Sequence, residues 1–325
     1  MKCMKALFAA MIAFVVSLSC PALAQKFPDK PVKVILPYPV GTGPDMVMRR
    51  VGEKLSRWWG QPVIVENRPG GNGWIAVTAA KRSAPDGYTL LQADTLLFGL
   101  QPHLYRRLPF DPVKDFDPVA PMYRTPFFVV VNSNSGWKSM ADLIAAAKAK
   151  GGALTYGSSG IGSQAHLGAE MLEQSAGVKM THIPYKDTPL MYTAIANGEL
   201  GWAFGTALSA GPLLQAHKVK LLALAAPKRH PSFPDVPTIA ESGGPRDVEM
   251  KTWIALFAPH GTPKSIVEKI NGDVARAMAE PDVREFLTPV AFSAWSAPPA
   301  ELAKTVEDDL KQYGEVAKRV QISLD

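Results

Sequence analysis

Thiols are nearly absent from this chain. Of 325 residues only two are cysteine, and both, Cys3 and Cys20, fall within the first 24. Without that segment the chain has no thiol, which excludes disulfides, thiolate metal sites and cysteine nucleophiles. Long apolar runs are equally scarce. One occurs near the start, "ALFAAMIAFVVSLS"; it is shorter than the roughly 20 residues that cross a bilayer, and no comparable run follows. No run of five or more like charges marks a nucleic-acid arm or a membrane patch. The Gly-Lys-Ser/Thr end of a phosphate loop and the G-x-S-x-G elbow of a serine hydrolase are also missing.

What is present starts with a leader. Lys2 and Lys5 precede the apolar run, and "PALAQ" follows it, with Ala22 and Ala24 fitting a small-residue cleavage site. We read residues 1–24 as a secretory signal cleaved after Ala24, which sends the mature chain to the periplasm. An uncleaved anchor is the alternative, and the short run argues against it. Cys20 would be lipidated in a surface lipoprotein, but Ser17 stands three residues before it, where such signals usually carry Leu. Removing Lys2 and Lys5 takes the net charge from +6 to +4, a mild field that attracts small anions. With 47% apolar residues, the length suits two domains with real cores, at about 100–200 residues each.

The mature chain alternates strand and helix signals. "VKVILPY" (32–38) is an apolar run of the fully buried kind, followed by Val47, Val51, Leu55 and Trp58 at helical spacing. "VIVEN" (63–67), a Gly-rich "RPGGNG" loop, a short helix from Ile75 and "YTLLQA" (88–93) continue the series. A second series starts at "FFVVVN" (127–132). Ser139 and Asp142 form a possible capping box, and strands are expected at 155–158, 180–185, 200–205 and 219–226. A strand at 253–259, a helix bearing Ile266, Ile270, Val274 and Met278, and a terminal helix with Leu302, Val306, Leu310 and Tyr313 complete the chain. Such alternation predicts an α/β fold of parallel sheets covered by helices, with ligands at the carboxyl ends of the strands.

Two strand-to-helix turns stand out. In "LPYPVGTGPDMVMRR", Gly41 and Gly43 are spaced G-x-G, but Met46 occupies the place of the third glycine of a dinucleotide fingerprint. The remaining reading has Thr42 or Gly43 at the N-cap, Pro44 at the first helical position and Asp45 in the first turn. Open N–H groups and a helix-end charge of roughly +0.5 suit a carboxylate as well as a phosphate. "TYGSSGIGSQAHL" (155–167) repeats the form: Ser158, Ser159, Gly160, Ile161 and Gly162 lead to a helix that Ser163 can cap. Small residues admit a ligand close to the backbone, and hydroxyls add donors. Two such turns can hold the two ends of one small diacid; alternatively, each is only a flexible loop.

At this point the chain resembles the periplasmic solute-binding proteins of tripartite tricarboxylate transporters, the Bordetella uptake gene (Bug) family. The likeness runs from Phe27 to about Val320 and is carried by "FPDKPVKVILPYPVGTGPD", "GQPVIVENRPGGNG", "APDGYTLL", "LYRRLPFDPVKDFDPVA", "YGSSGIGSQAHLGAE", "HIPYKDTP", "SFPDVPTIAESG" and "FAPHGTPKSIVEKIN". It implies a type II periplasmic binding protein with two α/β domains and a ligand cleft between them: residues 25–124 with 228–325, and residues 125–227. Crossings near Thr125 and Pro227 would form the hinge. One carboxylate would lie on the loop Tyr38, Pro39, Val40, Gly41, Thr42 and Gly43, with water taking part. The other domain would offer Ser158–Ser163, backed by His166, and the segment Tyr185, Lys186 and Asp187. The resemblance also implies a monomer that passes its ligand to the membrane subunits of a transporter, with no cofactor and no nucleic acid.

Several positions depart from the family pattern. Val40 and Thr42 replace residues of the usual "PFPPGG". The turn after the third strand reads Gln92-Ala93-Asp94-Thr95 where Gly, Ser and Thr are common, Asp187 replaces the glycine of "YKG", and Gly205-Thr206 stands where an acidic or amide residue is frequent. If Asp94 or Asp187 faces the cleft, repulsion of a bare diacid favours a ligand with an amine, a ring nitrogen or neutral donors. If both point to solvent, nothing follows.

Histidines 103, 166, 182, 217, 230 and 260 have no metal-ligand spacing and single out no general base. His166 is read as securing its loop. Trp58 and Trp59 are read as core or domain surface; Trp202 and Phe204 share one strand face, and one of them is a candidate cleft wall. A solute receptor is therefore the leading reading. A ligand sensor or an exported hydrolase is the alternative, and a transcription regulator would need a DNA-binding helix pair where the leader stands.

Overall fold

The computed structural model describes residues 27–185, 187–320 and 324. The signal peptide, lipidation at Cys20 and any contact of Lys186 lie outside the described residues. The first strand, β1 (Val32–Leu36), is buried on both faces: Val32, Val34 and Leu36 enter one core and Ile35 the other. Helix α1 (Gly43–Trp59) covers the first of these with Val47, Met48, Val51 and Leu55 and ends at Gly60 in the left-handed conformation. Trp59 is buried in this core and donates to Asp273 at 2.7 Å, and the half-buried Trp58 packs against the same core. Then follow β2 (Val63–Asn67), α2 (Trp74–Lys81), β3 (Thr89–Asp94), a short α3 (Gln101–Leu104) and β4 (Phe116–Pro126).

The second lobe holds β5 (Phe128–Asn132), α4 (Met140–Lys150), β6 (Thr155–Ser158), α5 (Gln164–Ala176), β7 (Thr181–Pro184), α6 (Thr188–Asn197), β8 (Trp202–Gly205), α7 (Ala207–Gln215) and β9 (Val219–Leu224). The chain then returns through β10 (Lys251–Pro259), α8 (Lys264–Ala279), α9 (Pro281–Leu287), β11 (Ser293–Ala294) and α10 (Pro299–Val320). The first sheet has the order β11-β4-β10-β3-β1-β2 and the second β7-β6-β8-β5-β9.

Both sheets are mixed, where the sequence predicted parallel ones. Strands β1, β2 and β3 are parallel, but β10 runs antiparallel to β3 and β4; in the second sheet β5 is antiparallel to β8 and β9. The reason is topological: β5 and β10 bring the chain into their sheets from the crossing at the carboxyl edge, so they run opposite to the strands that end there. Strand β4 was not foreseen at all. Its sequence "FDPVAPMYRTP" has three prolines, which argue against an internal strand. The register against β10 shifts between Ile254 and Ala255, opposite Tyr123 and Pro121, and again between Leu256 and Phe257, opposite Ala120 and Pro118, so irregular pairing absorbs two of them.

The return crossing lies later than the expected Pro227. Ile239, Val248 and Met250 pack into the second lobe's core, Ile239 donates to Leu224 and Met250 to Ala225. Residues 239–250 therefore pack on the second lobe, His230 reaches Ser293 of the first at 3.1 Å, and the chain re-enters the first sheet at Lys251, opposite Pro126. The outgoing crossing sits at Phe127, between β4 and β5. Trp202 and Phe204 are also displaced from their expected place: both are fully buried in the second core, edge to face at 5.1 Å, so neither walls a cleft.

Candidate functional site

The strand registers put the loops on a common boundary. Pro126 at the end of β4 lies beside Lys251, and β10 runs on to pair Ile254 with Asp94, the carboxyl end of β3. One residue past the crossing, Phe128 pairs with Gly205, the carboxyl end of β8. The crossing thus joins the carboxyl edges of both sheets, and the loops after β1, β3, β6 and β8 all open toward it. Direct contacts span the boundary. A Cβ on Gly43 would stand 2.9 Å from Leu208 of α7, and Gln164 accepts a hydrogen bond from Thr252 at 2.5 Å.

The first loop is held from behind. Thr42 is the N-cap by backbone, but its hydroxyl donates to the Pro39 carbonyl at 2.8 Å and caps nothing. No side chain caps the start of α1, which keeps its anion-binding polarity. Gly41, at φ +82°, gives its N–H to Asp45 at 2.9 Å, so this amide is not open to a ligand. Asp45 is buried and also takes Asn67 Nδ2 at 2.9 Å and Arg49 at 2.9 Å. Burial pushes its pKa up, but those three partners outweigh that and hold the carboxyl below its ordinary range. Asp45 therefore braces the loop from behind. Asn67, which also donates to the Tyr38 carbonyl at 3.0 Å, was missed by the sequence reading because its partners are 22 and 29 residues away. Pro39 and Val40 are exposed at the tip.

The second loop is braced by histidines. Ser158 is fully buried; its hydroxyl donates to the Gly160 carbonyl at 2.9 Å and lies 2.7 Å from His182 Nε2. Ser163 caps α5 by accepting the His166 N–H, and His166 Nδ1 accepts the Gly162 N–H at 3.1 Å. The two rings stack at 4.0 Å, although 16 residues of sequence separate them. Burial lowers the pKa of His166, and burial together with His166 lowers that of His182 to about 4. Ser159 is exposed and Gly160, at φ +134°, is half-buried with open space around it.

Other expected residues have the following places in the fold. Thr95 is fully buried and accepts the Trp253 N–H, which places it behind the site. Gly205 makes room for Tyr192: a Cβ there would stand 2.0 Å from its hydroxyl. Thr206 uses its hydroxyl in a capping box with Ser209 at the start of α7. Tyr185 donates its N–H to the Ser158 carbonyl at 2.9 Å, tying β7 to the second loop, whereas Asp187 is exposed at the start of α6 and its side chain caps nothing. Asp94, expected to point into either cleft or solvent, is only 9% exposed and accepts the Leu97 N–H at 2.8 Å. No cluster of metal-ligating side chains occurs among the described residues.

Residues 47–322 match the tripartite tricarboxylate transporter family receptor, TctC. The chain belongs to the TctC family. Among its relatives, the UPF0065 protein in gbd 5'region of Cupriavidus necator is 33% identical over 302 residues, covering 93% of this chain and 91% of the relative. A solved Rhodopseudomonas palustris protein, Rpa4515 with adipate, superposes with a TM-score of 0.83 at 31% identity over 91% of this chain and 99% of the other. MatC from the same organism, with bound malate, gives 0.78 at 31% identity over 89% and 99%. TctC proteins are periplasmic solute receptors, so this TctC chain is a two-lobed binding protein.

Proposed function

We propose that the mature chain, exported by its leader, captures a small organic carboxylate between its lobes and delivers it to the membrane subunits of a tripartite tricarboxylate-type transporter. The observation that carries this reading is the uncapped start of α1, set at the carboxyl edge of one sheet and opposed across the crossing by the loop ends of the other. Helix-end amides stabilise an anion there, and Ser159 with the Ser158–Ser163 backbone offers donors from the second lobe. The expected ligand-contacting set is thus Tyr38–Gly43 from the first lobe and Ser159, Gly160 and Tyr185 from the second. Closure follows if both lobes gain contacts with one guest, because a ligand shifts the equilibrium by its differential affinity for the closed form. The carboxylates held by Rpa4515 and MatC support this class.

Thermal-shift measurement on the purified mature chain tests it. Mono- and dicarboxylates of two to eight carbons are screened at about 100 times an expected micromolar Kd, where linkage gives roughly 2.7 kcal/mol of stabilisation. The reading requires that at least one raises the melting point without being consumed. If no carboxylate does so, or if products accumulate, the receptor reading fails.

A further inference from the structure

Behind the first turn of α1 lies a group of buried polar side chains that the fold itself does not satisfy. Gln92 and Asp94 share one face of β3, and register through Ile254 puts Tyr123 of β4 on that same face. Tyr38 enters from the first loop. Gln92 Nε2 reaches the Pro44 carbonyl at 3.4 Å, and Tyr123 stacks on Phe292 at 4.8 Å, whose ring would stand 3.1 Å from a Cβ on Gly43. All four side chains therefore ring the helix start.

Three of their polar atoms, the hydroxyls of Tyr38 and Tyr123 and the Gln92 Oε1, are buried without a hydrogen-bond partner among the described residues. Gln92 and Tyr123 are at most 1% exposed. Burial and the adjacent Asp94 carboxylate push the Tyr38 pKa up, so its hydroxyl is turned toward that carboxylate without closing a full-geometry hydrogen bond. Buried polar atoms are nearly always hydrogen-bonded, so three unpaired in one place mark an interaction still to be made. No ion pair reaches Asp94 among the described residues, and burial raises its pKa. Acceptors outnumber donors here: two hydroxyl protons face a carboxylate, an amide oxygen and two phenol oxygens.

We propose that Asp94, Gln92, Tyr38 and Tyr123 form a subsite for a primary ammonium group, so that the preferred ligand is an amino-substituted carboxylate. This rests on the receptor reading above. Three N–H donors match the Asp94 carboxylate, the Gln92 oxygen and a tyrosine oxygen, and the positive charge keeps Asp94 ionised. The ligand's own carboxylate then occupies the helix start next to it.

Titration calorimetry at pH 7.5 on the mature chain tests the subsite with succinate, malate and aspartate, which differ only in carrying H, OH or NH3+, and with adipate against 2-aminoadipate. In at least one chain length the ammonium form should bind tenfold or more tighter than its unsubstituted partner. Asp94→Asn, which keeps an acceptor for Leu97, should erase that preference while retaining or improving affinity for the plain diacid. Tyr123→Phe should reduce it and carries the test if Asp94→Asn does not fold. Plain diacids binding with an unaltered ranking in both variants would overturn the subsite and leave the receptor reading standing. Hydroxy and amino forms binding equally would overturn the ammonium assignment. Binding of no carboxylate at all removes the receptor reading and the subsite with it.

Discussion

Acidification from pH 7.5 to 4 should release the Ser158–Ser163 loop before it unfolds either core. His166 Nδ1 can accept the Gly162 N–H only while unprotonated, and His182 stacks on that ring at 4.0 Å, so a second charge there is repelled. Around the pair lie Glu170, 3.7 Å from His166 Nε2, Tyr156, stacked on both rings, and Ser158. Of these only Glu170 favours protonation, and burial outweighs it. Folding lowers both histidine pKa values, so the unfolded chain binds protons first: the neutral pair's contribution is intact above pH 6.5 and is lost as pH falls toward about 4. For His182 a full drop from 6.5 to about 4 sets a ceiling of about 3 kcal/mol; its ring is partly exposed, and screening reduces this to roughly 1–2 kcal/mol. In a chain of this size that is a fall in melting point of about 2–6 °C. The assay is a melting curve at half-unit steps from pH 8 to 4, with His166→Asn beside the wild type. Asparagine keeps an oxygen for Gly162 but cannot take up a proton, so the variant should show a flatter profile between 6.5 and 4. If both proteins lose stability in parallel through that window, the histidine pair is not the source.

Further perturbations probe the first loop and the boundary. Asp45→Ala leaves Gly41, Asn67 and the half-exposed Arg49 without their shared acceptor and should cost about 3 kcal/mol, read as a lower denaturation midpoint with an unchanged slope; a loss under 1 kcal/mol would show that the brace is idle. Gly160→Val meets open space but a φ of +134°, so the expected cost is about 1–3 kcal/mol of local strain together with loss of ligand-induced stabilisation; full ligand response would remove this loop from the site. Gly43→Val drives a side chain into Leu208 and Phe292 and should hold the lobes apart, raising the radius of gyration in solution scattering while both cores still melt cooperatively; an unchanged radius with normal binding would count against closure at this boundary.

Much of the fold was legible in the chain because its signals are local. Short strand signals such as Val63–Asn67 and Thr155–Ser158 coincide with the strands found, and Ser139 and Ser163 cap the helices they precede. Local propensity misjudged β4, where prolines are tolerated at register shifts, and the return crossing, where residues 239–250 have little periodicity and are held by Ile239, Val248 and Met250 docking on the second core. At the site, sequence located both turns but not their supports. Asp45 reads as a helix-end charge until Asn67 and Arg49 close on it, and His182 reads as isolated until β7 pairs with β6 and sets it beside Ser158.

The sequence by itself determined which segments become strands and helices and where the glycines bend them, since hydrophobic period, capping and backbone freedom act over a few residues. Only the tertiary structure decided which way the side chains of Asp94, Thr95, Trp202 and the histidines point, because burial and hydrogen-bond partners come from strands and helices far along the chain, brought together when two separate cores are joined through one crossing.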